Sequence, residues 1–327
     1  MTGAHRPTAD EALARVGLDR HTVLELGGSV LDAGRPFLVG SLAAGMGNQG
    51  SDVDIHLLVD GLDRPTPPFL LFSGDTPVDI EHVPATMPAR ALAKARGHDT
   101  VDSPLGPVSL GPPPDRSLRR RLARWVSALP LRDDADRIYE ESDAHALLPV
   151  LVRAALDEFV LLSAMASVAE RAGVAPDRTA YLWSRAGRHL LEVRCRAAGD
   201  VMTGAKWLPG RAGRLGVPAP EQRAHYTART AADLAGLARS AGLADWDWVR
   251  LVRVSPDPRC TTLSLGRQRL RVTGHQRVLR TTVDAEGPLE EVLETTAPPD
   301  LLSAVTRGEL TLEVDQDRMG EELRHVR

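Results

Sequence analysis

Cysteine is nearly absent. Cys195 and Cys260 are the only two in 327 residues, too few for a disulfide framework and in keeping with a reducing compartment, so the expected location is cytoplasmic. Long apolar runs are missing as well. The most hydrophobic segment, LLPVLVRAALDEFVLLSAMASVA, is interrupted by Arg153, Asp157 and Glu158, which suits a buried helix and not a membrane span. The opening residues, MTGAHRPTADEALARVG, lack the apolar stretch of a signal peptide. Positive charge is not in excess: 40 Lys+Arg stand against 44 Asp+Glu, a formal net charge of −4. A general affinity for polyanions is therefore not expected, nor nucleic acid as a partner. Lysine itself is scarce, with only Lys94 and Lys206 among those 40 basic residues. No internal repeat or low-complexity tract stands out.

What is present reads as a globular chain of 43% hydrophobic and 26% charged residues, long enough for two or three domains. Residues 9–33 carry helical periodicity through Leu13, Val16, Val23, Leu24 and Leu31, broken at Gly27 and Gly28. PFLVG predicts a short buried strand, SLAAGMG a turn and helix start with Ser41 as its N-cap, and DVDIHLLVD a second strand. FLLF and PVDIEHV predict a hairpin closed by SGDT. The result is an α/β (α+β) domain with a mixed sheet over residues 1–101. The Pro- and Gly-rich stretch 102–115 reads as a linker, residues 116–244 as a helical bundle, and residues 245–327 as a small α+β module. That module rests on the β-prone runs TTLSLG, QRLRVTG and QRVLRTTV, the helix-like EGPLEEVLE and PPDLLSAVTRG, and LTLEVD.

The chemistry concentrates in FLVGSLAAGMGNQGSDVDIHLLVD. On a strand, residues i and i+2 share a face, so Asp52 and Asp54 point together, with His56 next. The same rule puts Asp79 and Glu81 on one face of PVDIEHV. If these strands are neighbours, three or four carboxylates converge, and some must protonate unless a cation neutralises them. Hard oxygen donors without cysteine favour Mg²⁺ or Mn²⁺ over zinc. Gly40 lets the backbone approach a ligand closely, and the Ser41 hydroxyl at a helix start can bond a phosphate oxygen. A metal-bound nucleoside triphosphate suits both halves.

The stretch GSLAAGMGNQGSDVDIHLLV resembles the signature of the DNA polymerase β-type nucleotidyltransferase superfamily: a Gly-Ser, a spacer, Asp-x-Asp on a strand, and a third acid on a later strand. Asp79 matches the third acid best, with Glu81 as the alternate. The layout is similar to that of the kanamycin-type antibiotic nucleotidyltransferases, a catalytic domain followed by a helical bundle. The resemblance implies Mg²⁺- or Mn²⁺-dependent transfer of a nucleoside monophosphate from an NTP to a hydroxyl, with release of pyrophosphate. It implies that Asp52, Asp54 and Asp79 are catalytic metal ligands and that Gly40, Ser41 and Ser51 contact nucleotide. Lys206, in TGAKWLPGR, matches a bundle lysine that contacts triphosphate. Nothing in the residues selects ATP over GTP, CTP or UTP; ATP is taken as the commonest donor. A small-molecule acceptor is expected. Nucleotidylation of a protein, peptide or tRNA is a second reading, and an inactive binding protein a third.

Other polar residues have ordinary expectations. His56 reads as a partly exposed strand residue, and Arg119, Arg120, Arg121 and Arg124 as a solvated helix face opposite an apolar seam. Arg185, Arg188, Glu192 and Arg196 read as a surface ion-pair network. Cys195 reads as a small buried apolar residue.

Overall fold

The computed structural model describes residues 7–202, 204–243, 246–266, 268–273, 278–279, 283 and 285–325. They form a mixed α/β structure that divides into two compact units. Among the described residues no helix is long and apolar enough to cross a membrane.

The first unit comprises residues 1–98, 113–151 and 199–211. Two helices, α1 (Ala9–Leu13) and α2 (Arg20–Leu31), lead into it, the first closed by a Thr8–Glu11 capping box. Gly28, at φ 47°, bends α2, as the glycine pair in the sequence suggested. Next come β1 (Arg35–Val39), a single helical turn α3 (Gly40–Ala43), β2 (Val53–Val59), β3 (Phe69–Ser73) and β4 (Thr76–Pro84). Helix α4 (Met87–Arg96) and helix α5 (Arg116–Val126) follow; Asp115 caps α5 by accepting a bond from the Leu118 N–H. The sheet runs β3–β4–β2–β1, with the short strand Leu129–Pro130 on the far edge of β1. Its β2–β4 pairing is parallel and the others are antiparallel. The predicted hairpin is present, with Ser73 opposite Thr76.

Strand alternation sorts the two faces. Val53, Ile55, Leu57, Val78 and Ile80 pack with α1 and α2 residues such as Leu13, Val23 and Leu31. The opposite face carries Leu58 and Val83, which pack with Leu92, Leu122, Trp125 and Val126 of α4 and α5. Each fully buried leucine of this kind contributes about 1.5–3 kcal/mol of transfer free energy. Toward the start of β2 and β4 the same face turns polar, with His56 and Glu81 and then Asp54 and Asp79.

The second unit comprises residues 99–112, 152–198 and 212–327. Helix α6 (Glu141–Arg171) contributes its later turns, followed by α7 (Pro176–Ala197) and the helices Ala219–Thr227 and Ala231–Ser240. Two three-stranded antiparallel sheets come from the C-terminal region, one ordered Gly287–Pro288, Val252–Pro256, Leu310–Val314, the other Val278–Leu279, Gln268–Val272, Thr261–Leu265. The expected run QRVLRTTV lies mostly outside the described residues.

Two organisational expectations differ from this division. The presumed linker holds an antiparallel hairpin, Thr100–Ser103 with Gly106–Ser109, and residues 99–112 belong to the second unit. The buried Arg153 guanidinium clamps the hairpin by donating to the Ser109 and Leu110 carbonyls at 3.0 and 3.1 Å, and it also meets Asp157 and Gln316. Proline and glycine mark tight turns as readily as linkers. Nor do the bundle and the C-terminal strands have separate cores. Phe159, Trp183, Trp248, Val252, Leu301 and Met319 belong to one cluster, while α5 packs in the first unit's core.

Candidate active site

Register places the predicted acids side by side. Asp54 pairs with Asp79, and His56 with Glu81, across the parallel β2–β4 pairing. On either side, Val39 pairs with Asp54 and Leu70 with Asp79, so one row crosses the sheet from the end of β1 to β3. Asp52 lies just before β2 and is exposed, and its charge acts on both Asp54 and Asp79.

The turn after β1 presses against the same row. Gly40 has φ +77°, and a Cβ at this position would stand 2.2 Å from Asp54 Oδ2. Both the left-handed conformation and this close approach require glycine. Ser41 is not the N-cap that the sequence suggested. Val39 occupies that position without a side-chain cap bond, and Ser41 sits within the single turn of α3. Its hydroxyl oxygen is buried and has no hydrogen-bond partner among the described residues, a cost that a ligand oxygen could remove. With only four residues in α3, the helix dipole adds little. Ser51 serves the loop itself: its hydroxyl accepts from the Asn48 N–H at 3.0 Å, and its own N–H donates to the Asn48 carbonyl.

Asp54 has 13% of its side chain exposed, and Arg124 of α5 donates to its Oδ1 at 3.1 Å. Burial pushes the Asp54 carboxyl up to about 6; Arg124 opposes this, the charges of Asp52 and Asp79 reinforce it, and Lys206 opposes it. Asp79 is also raised, first by desolvation, against Arg124, and further by Asp52 and Glu81. Lys206 is exposed, with Nζ 5.3 Å from the Trp207 ring centroid, and its charge reaches Asp54. The structure thus brings together Gly40, Ser41, Asp52, Asp54, Asp79 and Lys206.

Glu81 belongs to a different arrangement. His56 is buried, with only 1% of its side chain exposed, and is not the partly exposed residue expected. Its Nδ1 accepts from Trp125 Nε1 at 3.0 Å, which places the ring proton on Nε2, 3.3 Å from Glu81 Oε2. Burial holds the His56 pKa below its ordinary value, so the ring is neutral. Arg121 donates to the other Glu81 oxygen. Although burial raises Glu81, its hydrogen bonds from His56 and Arg121 prevail and hold it down to about 2.

The arginines on α5 are the functional feature that sequence reasoning placed elsewhere. Ser117, Arg120, Arg121 and Arg124 recur at helical spacing and form one stripe. With Asp54, His56, Asp79, Glu81 and Pro68 they line a cavity of about 240 Å³. The i, i+3, i+4, i+7 spacing was a readable signal, but nothing local says that the stripe faces acids 40 to 70 residues away.

Three mutually repelling carboxylates, one with its pKa raised to about 6, fit a hard divalent cation by their donor chemistry. In their present placement, however, no three His, Cys, Asp or Glu side chains among the described residues are gathered closely enough to hold a metal. Asp54 takes its counter-charge from Arg124 instead. No family model matches the chain, and no curated protein matches it.

Proposed function

We propose that the chain is a nucleotidyltransferase that moves a nucleoside monophosphate from an NTP, ATP in the first instance, to a hydroxyl of a small molecule. The observation that carries this reading is the pairing of Asp54 with Asp79 across β2 and β4, with Gly40, just after β1, pressed against Asp54. Asp52 lies beside the row and acts electrostatically on both aspartates. A phosphate-accepting turn therefore adjoins crowded carboxylates, and a structural role does not require that combination.

Asp52, Asp54 and Asp79 would hold Mg²⁺ or Mn²⁺, which would polarise the transferred phosphoryl group and lower the pKa of the acceptor hydroxyl. The backbone at Gly40 and the Ser41 hydroxyl orient phosphate oxygens, and the Lys206 ammonium adds a positive charge that acts on Asp54. Asp79, one strand further from Gly40, faces the acceptor. There it assists removal of the hydroxyl proton as the acceptor oxygen bonds to the α-phosphorus and pyrophosphate departs. Glu81, committed to His56 and Arg121, supports the site from outside the ligand set.

The test is a thermal-shift panel of the four NTPs with and without Mg²⁺, on the wild type and on a double Asp52→Ala, Asp54→Ala variant. One NTP should raise the melting temperature only with Mg²⁺, and only in the wild type. Saturation at a hundred times Kd corresponds to about 2.7 kcal/mol of stabilisation. No shift at millimolar concentration for any of the four would overturn the reading.

A further inference from the structure

We infer that the cavity between β4 and α5 is an anion site, and that under the proposed function it receives a carboxylate or phosphate carried by the acceptor. The acceptor assignment and the surplus of positive charge rest on the transferase reading, with its divalent cation; the arginine donors belong to the cavity itself. Position across the sheet separates it from the nucleotide-facing groups. Gly40 and Ser41 follow β1, on one side of Asp54. The cavity extends to the other side, past Asp79 and Glu81 on β4 to Pro68, just before β3. Neither Gly40, Ser41 nor Lys206 lines it.

The charge balance gives the ligand class. Asp54, Asp79 and Glu81 line the cavity against Arg120, Arg121 and Arg124, so the walls are formally neutral before a cation binds. A divalent cation on Asp54 and Asp79 would leave the arginines in excess, and Arg124 would lose the carboxylate it now neutralises. Two further donors await a partner. Arg120 is exposed on this wall and makes no ion pair among the described residues. Arg121 is held by Glu81 and by Ser117 Oγ at 2.9 Å, yet its Nε is buried and without a hydrogen-bond partner among the described residues. A guanidinium fixed through its terminal nitrogens is preorganised to offer a further N–H to an anion. At about 240 Å³ the cavity suits one small charged group and not an entire nucleotide.

The experiment uses the full chain, inorganic phosphate as the anion, and isothermal titration calorimetry. Phosphate is titrated into protein with Mg²⁺, first alone and then saturated with the α,β-methylene analogue of the nucleotide that the thermal panel selects. Phosphate should bind the nucleotide-saturated protein. Arg120→Gln should weaken it about tenfold, or ~1.4 kcal/mol, while leaving nucleotide affinity unchanged. Arg120 is exposed, so this variant reports on binding and not on folding. If phosphate displaces the nucleotide, or if Arg120→Gln weakens both equally, the arginines serve the triphosphate and the inference is overturned. Phosphate binding that is indifferent to Arg120 overturns it as well. If no nucleotide binds, the transferase reading fails and the acceptor role fails with it. Arg120-dependent phosphate binding to the nucleotide-free protein would then still establish the anion site.

Discussion

His56 and Glu81 face one another across the same pair of strands as Asp54 and Asp79, one pleat further in. The inner pair is fully engaged. Trp125 fixes the imidazole tautomer, the imidazole donates to Glu81, and Arg121 takes the second carboxylate oxygen. The outer pair has a single guanidinium, Arg124 on Asp54, for carboxylates that also repel Asp52. Strand geometry and donor chemistry are nearly the same in the two rows. The difference is that the inner row lowers its acid to about 2 and the outer row raises one to about 6. Where partners satisfy a buried charge, the residue stabilises the fold. Where they fall short, the fold bears a cost that binding can relieve.

The largest effect should come from exchanging one carboxylate in each row for an amide. Asp54→Asn should cut nucleotidyl transfer on the order of 10³-fold or more while making the nucleotide-free protein more stable at pH 7 by on the order of 1–2 kcal/mol. Glu81→Gln should do the reverse: a stability loss of about 2 kcal/mol, with turnover reduced only about tenfold. Urea unfolding and a pyrophosphate-release assay on both variants measure the four quantities. Loss of turnover without loss of stability in Glu81→Gln would exchange the roles of the two rows.

A pH series sharpens the same contrast. Asp54 protonates at about 6 in the folded chain, against an ordinary value of 3.8. Between these values the folded state binds more protons than the unfolded one, so this carboxyl's contribution to stability falls as pH rises through that window. Glu81 works in the opposite sense. Its value of about 2 lies below the ordinary 4.5, so its contribution is complete above 4.5 and is lost as pH falls toward 2. Buried neutral His56 also favours higher pH, which would mask Asp54 in the wild type alone. The difference between Asp54→Asn and wild type removes that term. The variant's advantage should be small at pH 4 and complete by pH 7, and Mg²⁺ should shrink it. A pH-independent difference would mean that Asp54 is not strained by its neighbours.

The sequence carried the outer row well and the inner row poorly, for physical reasons. Period-two alternation is local, so Asp52 and Asp54, and again Asp79 and Glu81, could be placed on common faces before any fold was known. That β2 and β4 are neighbours was a conditional step, and the mixed sheet meets the condition. That Glu81 is engaged by His56 and Arg121 depends on Trp125 and Arg121, which α5 delivers from some 40 residues beyond Glu81. No pattern within β4 encodes that meeting. The arginine stripe was visible as a stripe, but the side it faces is a tertiary fact. Glycine and proline misled at residues 102–115 because the chemistry of a tight hairpin is also that of a linker. The interleaving of segments between the two units leaves no compositional trace at all.

The smallest effect concerns Lys206, the weaker of the two positive charges that act on Asp54. Its ammonium is exposed and acts on Asp54 through space, without an ion pair among the described residues. Lys206→Met should lower stability at pH 7 only slightly, raise the pH at which the Asp54→Asn advantage becomes complete, and weaken nucleotide binding several-fold. The binding loss should shrink as salt screens the interaction. Lys94→Met, on an exposed position of α4, is the matched control, since it removes the other lysine without any stated link to the acids. Equal effects from the two substitutions would reduce Lys206 to general surface charge. A loss confined to Lys206 would assign it to the proposed nucleotide site.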